Sequence, residues 1–266
     1  MLPRTWMPSS KCFWSLRPEM VLLPKVTKLE LNAYFNRFGF LISISNSMFL
    51  HTHPYEPFLF EGVKKLIVGT LPPPRFTTGA LREGDVNFCY GSRDGQLWPI
   101  LNEIFKLDLL FETSERAIVQ RKEFLIRNRI GICDIVASAE REKVDASDLG
   151  MQNIKLRNLL FYLEKYPTVE TLLFTGGNSK NGPEYFFRKH LKDHGLQLKV
   201  KSNEVPRIHE FVHPKTNNAI KTVSLIAPSG AANRAVGSIP EYKEMKAANP
   251  NFNTVDFRVL QYAKHF

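Results

Sequence analysis

The chain is predicted to be an α/β protein, a three-layer α/β/α sandwich around a mainly parallel sheet. Three observations carry that prediction. From about residue 55 onward, strand-like and helix-like segments alternate along the chain. Two short apolar runs end abruptly in small, proline-containing loops: Leu66-Ile67-Val68-Gly69-Thr70-Leu71-Pro72-Pro73-Pro74 and Ala227-Pro228-Ser229-Gly230-Ala231-Ala232-Asn233-Arg234. A continuous apolar run is how a buried parallel strand reads, and a stiff loop after it opens a crevice at the strand ends of an α/β sheet. The hydrophobic content of 43% and aromatic content of 12% are enough for a substantial core.

Residues 1–50 carry Pro3, Pro8, Pro18 and Pro24 among scattered aromatics, without a clear period. They read as a poorly ordered extension, or as sequence upstream of a start at Met20 or Met48, with one domain over 51–266. Lys65 to Val68 reads as a buried strand. Leu97 to Phe105 has helical spacing, with Pro99 tolerable only in the first turn. Ser114 to Arg127 is a helix with Ser114 as its N-cap. Ile130 to Ile135 is a second strand, Asn153 to Tyr166 a helix ended by Pro167, and Val169 to Thr175 a third strand. Pro183 to His194 is a helix closed by Gly195. Leu196 to Val200, Val205 to Val212 and Ala219 to Ala227 read as strands, and Pro240 to Ala248 and Thr254 to Lys264 as helices.

Composition excludes several classes. Cys12, Cys89 and Cys133 have no paired spacing, which argues against a disulfide framework, a four-thiolate zinc site and an iron–sulfur cluster. A reducing, cytoplasmic setting fits. No apolar run reaches the roughly 18 to 20 residues that span a bilayer. The formal net charge of +10 favours a polyanionic partner, although a basic soluble enzyme would show it too.

His209-Glu210-Phe211-Val212-His213 matches the zinc-protease pattern HExxH. That chemistry needs both histidines on one helical face, and Pro206 and Pro214 flank the stretch. Apolar Val205, Ile208, Phe211 and Val212 fit a strand, in which residues four apart stand about 13 Å apart. The expectation is therefore surface-strand histidines and no metal. Gly176-Gly177-Asn178-Ser179-Lys180-Asn181-Gly182 sits where a phosphate loop would, but lacks the P-loop and dinucleotide orders. It is a strand–helix turn, or a loop whose N–H groups, with Asn178, Ser179 and Lys180, hold a DNA phosphate. Between Phe88 and Trp98, two aromatics flank a polar turn that could stack on a base, or simply pack in the core. Core packing is expected for Trp98 and for one of Phe88 and Tyr90. Asp134 ends the second strand, where it would read a base edge, activate water or cap the next segment. Glu140 to Lys143 reads as a solvated helix surface.

Together these segments resemble the uracil-DNA glycosylase superfamily, especially its hypoxanthine-DNA and mismatch-specific branches, over about residues 60 to 240. Gly69-Thr70-Leu71-Pro72 stands where the superfamily has G-x-[DN]-P or G-S-F-P. Phe88 to Trp98 looks like a diverged copy of the aromatic FYYxHPxNxFW stretch. Ala227-Pro228-Ser229-Gly230 matches the final H-P-S-P or N-P-S-G motif. Leu71 occupies the place of the water-activating Asp or Asn, Gly95 that of the hypoxanthine branch's catalytic Asn, and Ala227 that of the final His or Asn.

The resemblance implies a uracil-DNA glycosylase-like fold and a monomer without cofactor that acts on damaged or mismatched double-stranded DNA. It would flip out a deaminated base, uracil or hypoxanthine, and hydrolyse its glycosidic bond. Gly69, Thr70, Leu71 and Pro72 would read the base while Phe88 or Tyr90 stacks on it. Pro228, Ser229, Gly230, Ala231, Ala232, Asn233 and Arg234 would enter the minor groove. Asp94, one residue from the aligned catalytic place, and then Asp134 are the candidate catalytic carboxylates. A catalytically silent nucleic-acid-binding module of the same fold is the rival, and a small-nucleotide hydrolase or transferase a third reading.

Overall fold

The alternation expected from the sequence becomes a six-stranded sheet flanked on both sides by helices. A computed structural model describes residues 48–266. The reading of residues 1–50 as poorly ordered therefore lies outside the described residues, except for its last three. The main sheet runs β3 (Ile130–Asp134), β2 (Lys65–Gly69), β6 (Thr171–Phe174), β9 (Ala219–Ser224), β8 (Arg207–Val212), β7 (Lys199–Ser202). The first four are parallel; β8 and β7 add antiparallel pairs at one edge.

Alternation along β2 and β6 sets the layers, because successive side chains of a strand face opposite ways. Leu66, Val68, Leu172 and Phe174 pack on α4 (Leu159–Lys165) and α5 (Pro183–Asp193). Ile67 and Leu173 face the other way, onto α2 (Leu97–Phe105), α3 (Glu115–Arg127) and Tyr262 of α8 (Thr254–Ala263). The structure is thus an α/β/α sandwich, as expected. Short helices α1 (Pro74–Thr77), α6 (Asn233–Gly237) and α7 (Pro240–Ala248) complete the set among the described residues. Among the described residues no helix is long and apolar enough to cross a membrane.

A second, three-stranded antiparallel sheet departs from expectation: β1 (Phe49–Thr52), β4 (Val136–Arg141) and β5 (Gln152–Leu156), in the order β1-β4-β5. Residues 153–156, expected as helix, are strand, and the helix starts only after Asn158, whose side chain accepts from the Phe161 N–H. The cause is a period of two: Ile154 and Leu156 are half-buried and alternate with exposed Asn153 and Lys155. Glu140 and Arg141 are likewise strand rather than helix surface. Arg141 is buried and donates from Nε to Nδ1 of His51 at 2.8 Å.

The HExxH stretch lies in and just after β8, as the flanking prolines suggested. Its histidines are nonetheless buried, which corrects the expectation of surface positions. Arg188 donates to Nε2 of His209 at 2.8 Å, and Nε2 of His213 bonds to the Leu160 carbonyl at 3.0 Å. Glu210, one residue on from His209, faces the opposite side of the sheet and pairs with Lys201. Glu210 therefore cannot share a metal with His209.

Candidate active site

Because β2, β6 and β9 are parallel, the loops that follow them leave along one edge of the sheet. With β6 between them, β2 and β9 stand roughly 10 Å apart, twice the interstrand spacing. The aromatic segment ties the two outer loops together. Gly95 forms a β-bridge with Ser229, and the Gln96 N–H donates to the Pro228 carbonyl at 2.9 Å. Arg75, just past the three prolines, donates to Ser92 Oγ at 2.8 Å and to Asp94 at 3.2 Å.

Asp134 stands at this edge, where the chain leaves β3 for the small sheet. Nδ1 of His53 accepts the Tyr55 N–H at 3.1 Å. The ring proton therefore sits on Nε2, which donates to Asp134 Oδ2 at 2.8 Å. Asp134 is only 5% exposed, and its Oδ1 is buried beside the Tyr90 hydroxyl without a hydrogen bond of good geometry. That oxygen lies over Gly69. A Cβ there would meet Asp134 Oδ1 at 2.6 Å and Tyr90 Oη at 2.0 Å, so the strand must end in glycine. Tyr90, in the left-handed region at φ 58°, bonds through its hydroxyl to Thr175 Oγ1 at 3.0 Å. Burial first, and the neighbouring Asp134 charge second, raise the Tyr90 hydroxyl well above its usual pKa and keep it protonated. Gly69→Ala is expected to destabilise the fold by about 1–3 kcal/mol, the usual cost of overpacking, read from the urea unfolding midpoint. An unchanged midpoint would show that Tyr90 can move aside.

A second carboxyl reaches the same turn. Asp148, in a 3₁₀ turn after β4, accepts from Thr70 Oγ1 at 3.0 Å. The segment is clamped from both sides: Asn181 Nδ2 donates to the Asp148 carbonyl at 2.8 Å, and Arg141 donates to the Ser147 carbonyl. Neither His53 nor Asp148 belongs to a recognisable motif.

The remaining sequence candidates divide. Phe88 is 6% exposed, with its ring against those of Phe58 and Trp98, so it is a core residue, while the half-buried Tyr90 brings its hydroxyl to the ends of β2 and β6. Asp94 has a side chain 66% exposed and paired with Arg75, at the rim and without a partner in common with Asp134. Leu71 is half-buried and Pro72 buried. Asn178, Ser179 and Lys180 are exposed on the loop between β6 and α5. Pro228 is buried, Ser229 and Ala232 are half-buried, and Gly230, Ala231, Asn233 and Arg234 are exposed. The Asn233 carbonyl oxygen is already taken, accepting from Arg258 and Thr254 at 3.0 Å each.

Arg75 is held by a buried anchor. It donates twice to Asp85, at 2.7 and 2.8 Å, and the N–H groups of Arg82 and Arg93 add two bonds at 2.8 Å. Burial alone would raise the Asp85 carboxyl, but Arg75 and these amides overcome it and hold the group down at about 2. A folded-state pKa below the unfolded value stabilises at pH above the unfolded value and ceases to do so as pH falls through the folded one. Asp85 is therefore expected to contribute about 2 kcal/mol that disappears between about pH 4 and about pH 2. Acid titration of stability should show this slope in the native chain and a flatter one in Asp85→Asn.

No family model and no curated protein matches the chain. Among solved structures it is similar to a solution NMR structure from Methanosarcina acetivorans, provisionally described as a uracil DNA glycosylase. The identity is 18% and the TM-score 0.46, over 79% of this chain and 99% of that one.

Proposed function

We propose that the chain is a DNA glycosylase that removes a deaminated base, uracil or hypoxanthine, from damaged or mismatched duplex DNA. The observation that carries the reading is the His53-oriented Asp134 carboxylate. Its second oxygen, which makes no hydrogen bond, lies over Gly69 at the carboxyl edge of a parallel sheet, beside the stiff loop that follows β2. Flipping the target nucleotide costs a few kcal/mol, least at a mispair. Exposed Gly230, Ala231 and Arg234 would wedge into the minor groove, and Lys180 and its neighbours would hold phosphate with salt-sensitive affinity. Tyr90 would stack on the flipped base, with Thr70 and Leu71 at its edge. As the C1′–N bond breaks, its electron pair goes to the base and positive charge builds on the sugar. A fixed carboxylate stabilises that charge and orients the attacking water. Asp134, rather than the rim residue Asp94, has that role here. The protein would act as a cytoplasmic monomer.

The test is incubation with duplexes bearing uracil, hypoxanthine, xanthine or a thymine mismatch, followed by alkali cleavage at abasic sites. Cleavage at one lesion supports the reading. Salt-dependent binding without cleavage would favour a silent nucleic-acid-binding module instead, the outcome to which Gly95 and Ala227 at the superfamily's Asn and His positions point.

A further inference from the structure

We propose that Asp148 is the proton donor to the departing base, and hence that purines are the bases whose release this crevice assists most. The inference rests on the glycosylase reading and adds a second acidic group to it. Asp134 and Asp148 flank consecutive residues of one turn: Asp134 Oδ1 lies over Gly69, and Asp148 Oδ1 accepts from Thr70. The two differ in environment. His53 donates to Asp134 Oδ2 at 2.8 Å. Asp148 receives only the Thr70 hydroxyl, and among the described residues nothing hydrogen-bonds its Oδ2. That oxygen is free to carry a proton.

Burial raises the Asp148 carboxyl from 3.8 to about 6; Thr70 and Arg141 pull it back, and the Asp134 charge adds to the rise. The charged groups facing it are Arg141 of β4, itself bonded to His51 of β1, and Asp134 of β3. Asp145, on the same segment, pairs with Arg141 at 3.7 Å. Two carboxyls held in such different surroundings are the usual basis of an acid and a base in one site.

The step balances. The C1′–N9 bond breaks with its electron pair going to the purine, and Asp148 Oδ2 gives its proton to a purine ring nitrogen, so a neutral base leaves. Water joins C1′, its surplus proton passes through Asp134 to solvent, and Asp148 is reprotonated from solvent. Uracil spreads the negative charge of departure over two carbonyl groups and needs this proton less.

The experiment measures single-turnover release of hypoxanthine and of uracil from duplexes by the full chain, Asp148→Asn and Asp148→Glu. General acid catalysis contributes on the order of 100-fold or more. Asp148→Asn, which retains the Thr70 bond, is therefore expected to lose about 100-fold in hypoxanthine release and less than about tenfold in uracil release. In the native chain hypoxanthine release should decline above about pH 6, and Asp148→Asn should abolish that decline. Asp148→Glu should restore most of the rate. Equal losses on both bases, or a folded Asp148→Asn with unchanged hypoxanthine release, would overturn the inference and leave the glycosylase reading standing. A native chain that releases neither base would overturn both.

Discussion

Asp134→Asn is expected to lower base release by about 100-fold or more, with duplex affinity unchanged. Removing one preorganised electrostatic group from a water-poor site costs about 10²–10³ in rate. Asparagine has the same shape and can still accept the His53 proton, so the fold and the His53 contact survive while the charge facing the sugar is lost. Single-turnover release and a binding isotherm, measured on the same duplex, separate the two effects. Undiminished release would remove Asp134 from the chemistry. A parallel drop in affinity would mean that the carboxylate shapes the crevice rather than the reaction.

Arg258→Ala is expected to cost about 3 kcal/mol of stability, the largest structural effect predicted here. Arg258 of α8 is fully buried and spends its donors on the loop after β9. Nε donates to the Ala227 carbonyl and Nη2 to that of Ser229, at 3.0 Å each. Nη1 donates to Asn233 Oδ1 and to the Thr254 carbonyl, also at 3.0 Å. Alanine removes four bonds, although Ala227, Ser229 and Asn233 keep one donor each, from the Ser229 and Ala232 N–H groups and the Thr254 hydroxyl, so each lost bond counts for about 0.5–1.5 kcal/mol. The urea midpoint should fall by about 1–2 M at ordinary slopes. If the Ser229–Arg234 loop is the DNA wedge, duplex affinity should fall in the same variant under conditions where it remains folded. A midpoint within error of the native one would show that the loop holds its shape without Arg258.

The main sheet was legible because its strands carry their signal locally. Leu66-Ile67-Val68, Ile130 to Cys133 and Leu172-Leu173-Phe174 are apolar runs because both faces are covered, and Ser114 and Gly195 mark helix ends. The small sheet was not legible. β4 is Val-Ala-Ser-Ala-Glu-Arg, paired on one side with Phe49–Thr52, nearly ninety positions away in the chain, and on the other with Gln152–Leu156 through two register shifts. The same limit applied to the site. Glycines and prolines mark the loops, but His53 meets Asp134 across 81 residues and Thr70 meets Asp148 across 78. A lone histidine or aspartate has no periodicity by which to announce such a partner. Choosing between Phe88 and Tyr90 required knowing which ring faces Phe58.

The passage of the chain from β3 directly into β4, with Asp134 and Ile135 as the joint, makes the reactive oxygen hostage to a ladder that the central layer does not need. His53 directly follows β1, so whatever peels that outermost strand away takes the imidazole with it. A proteolytic fragment lacking everything before Tyr55 would retain every strand of the main sheet, and its circular dichroism would look nearly native. Its acid would swing loose all the same.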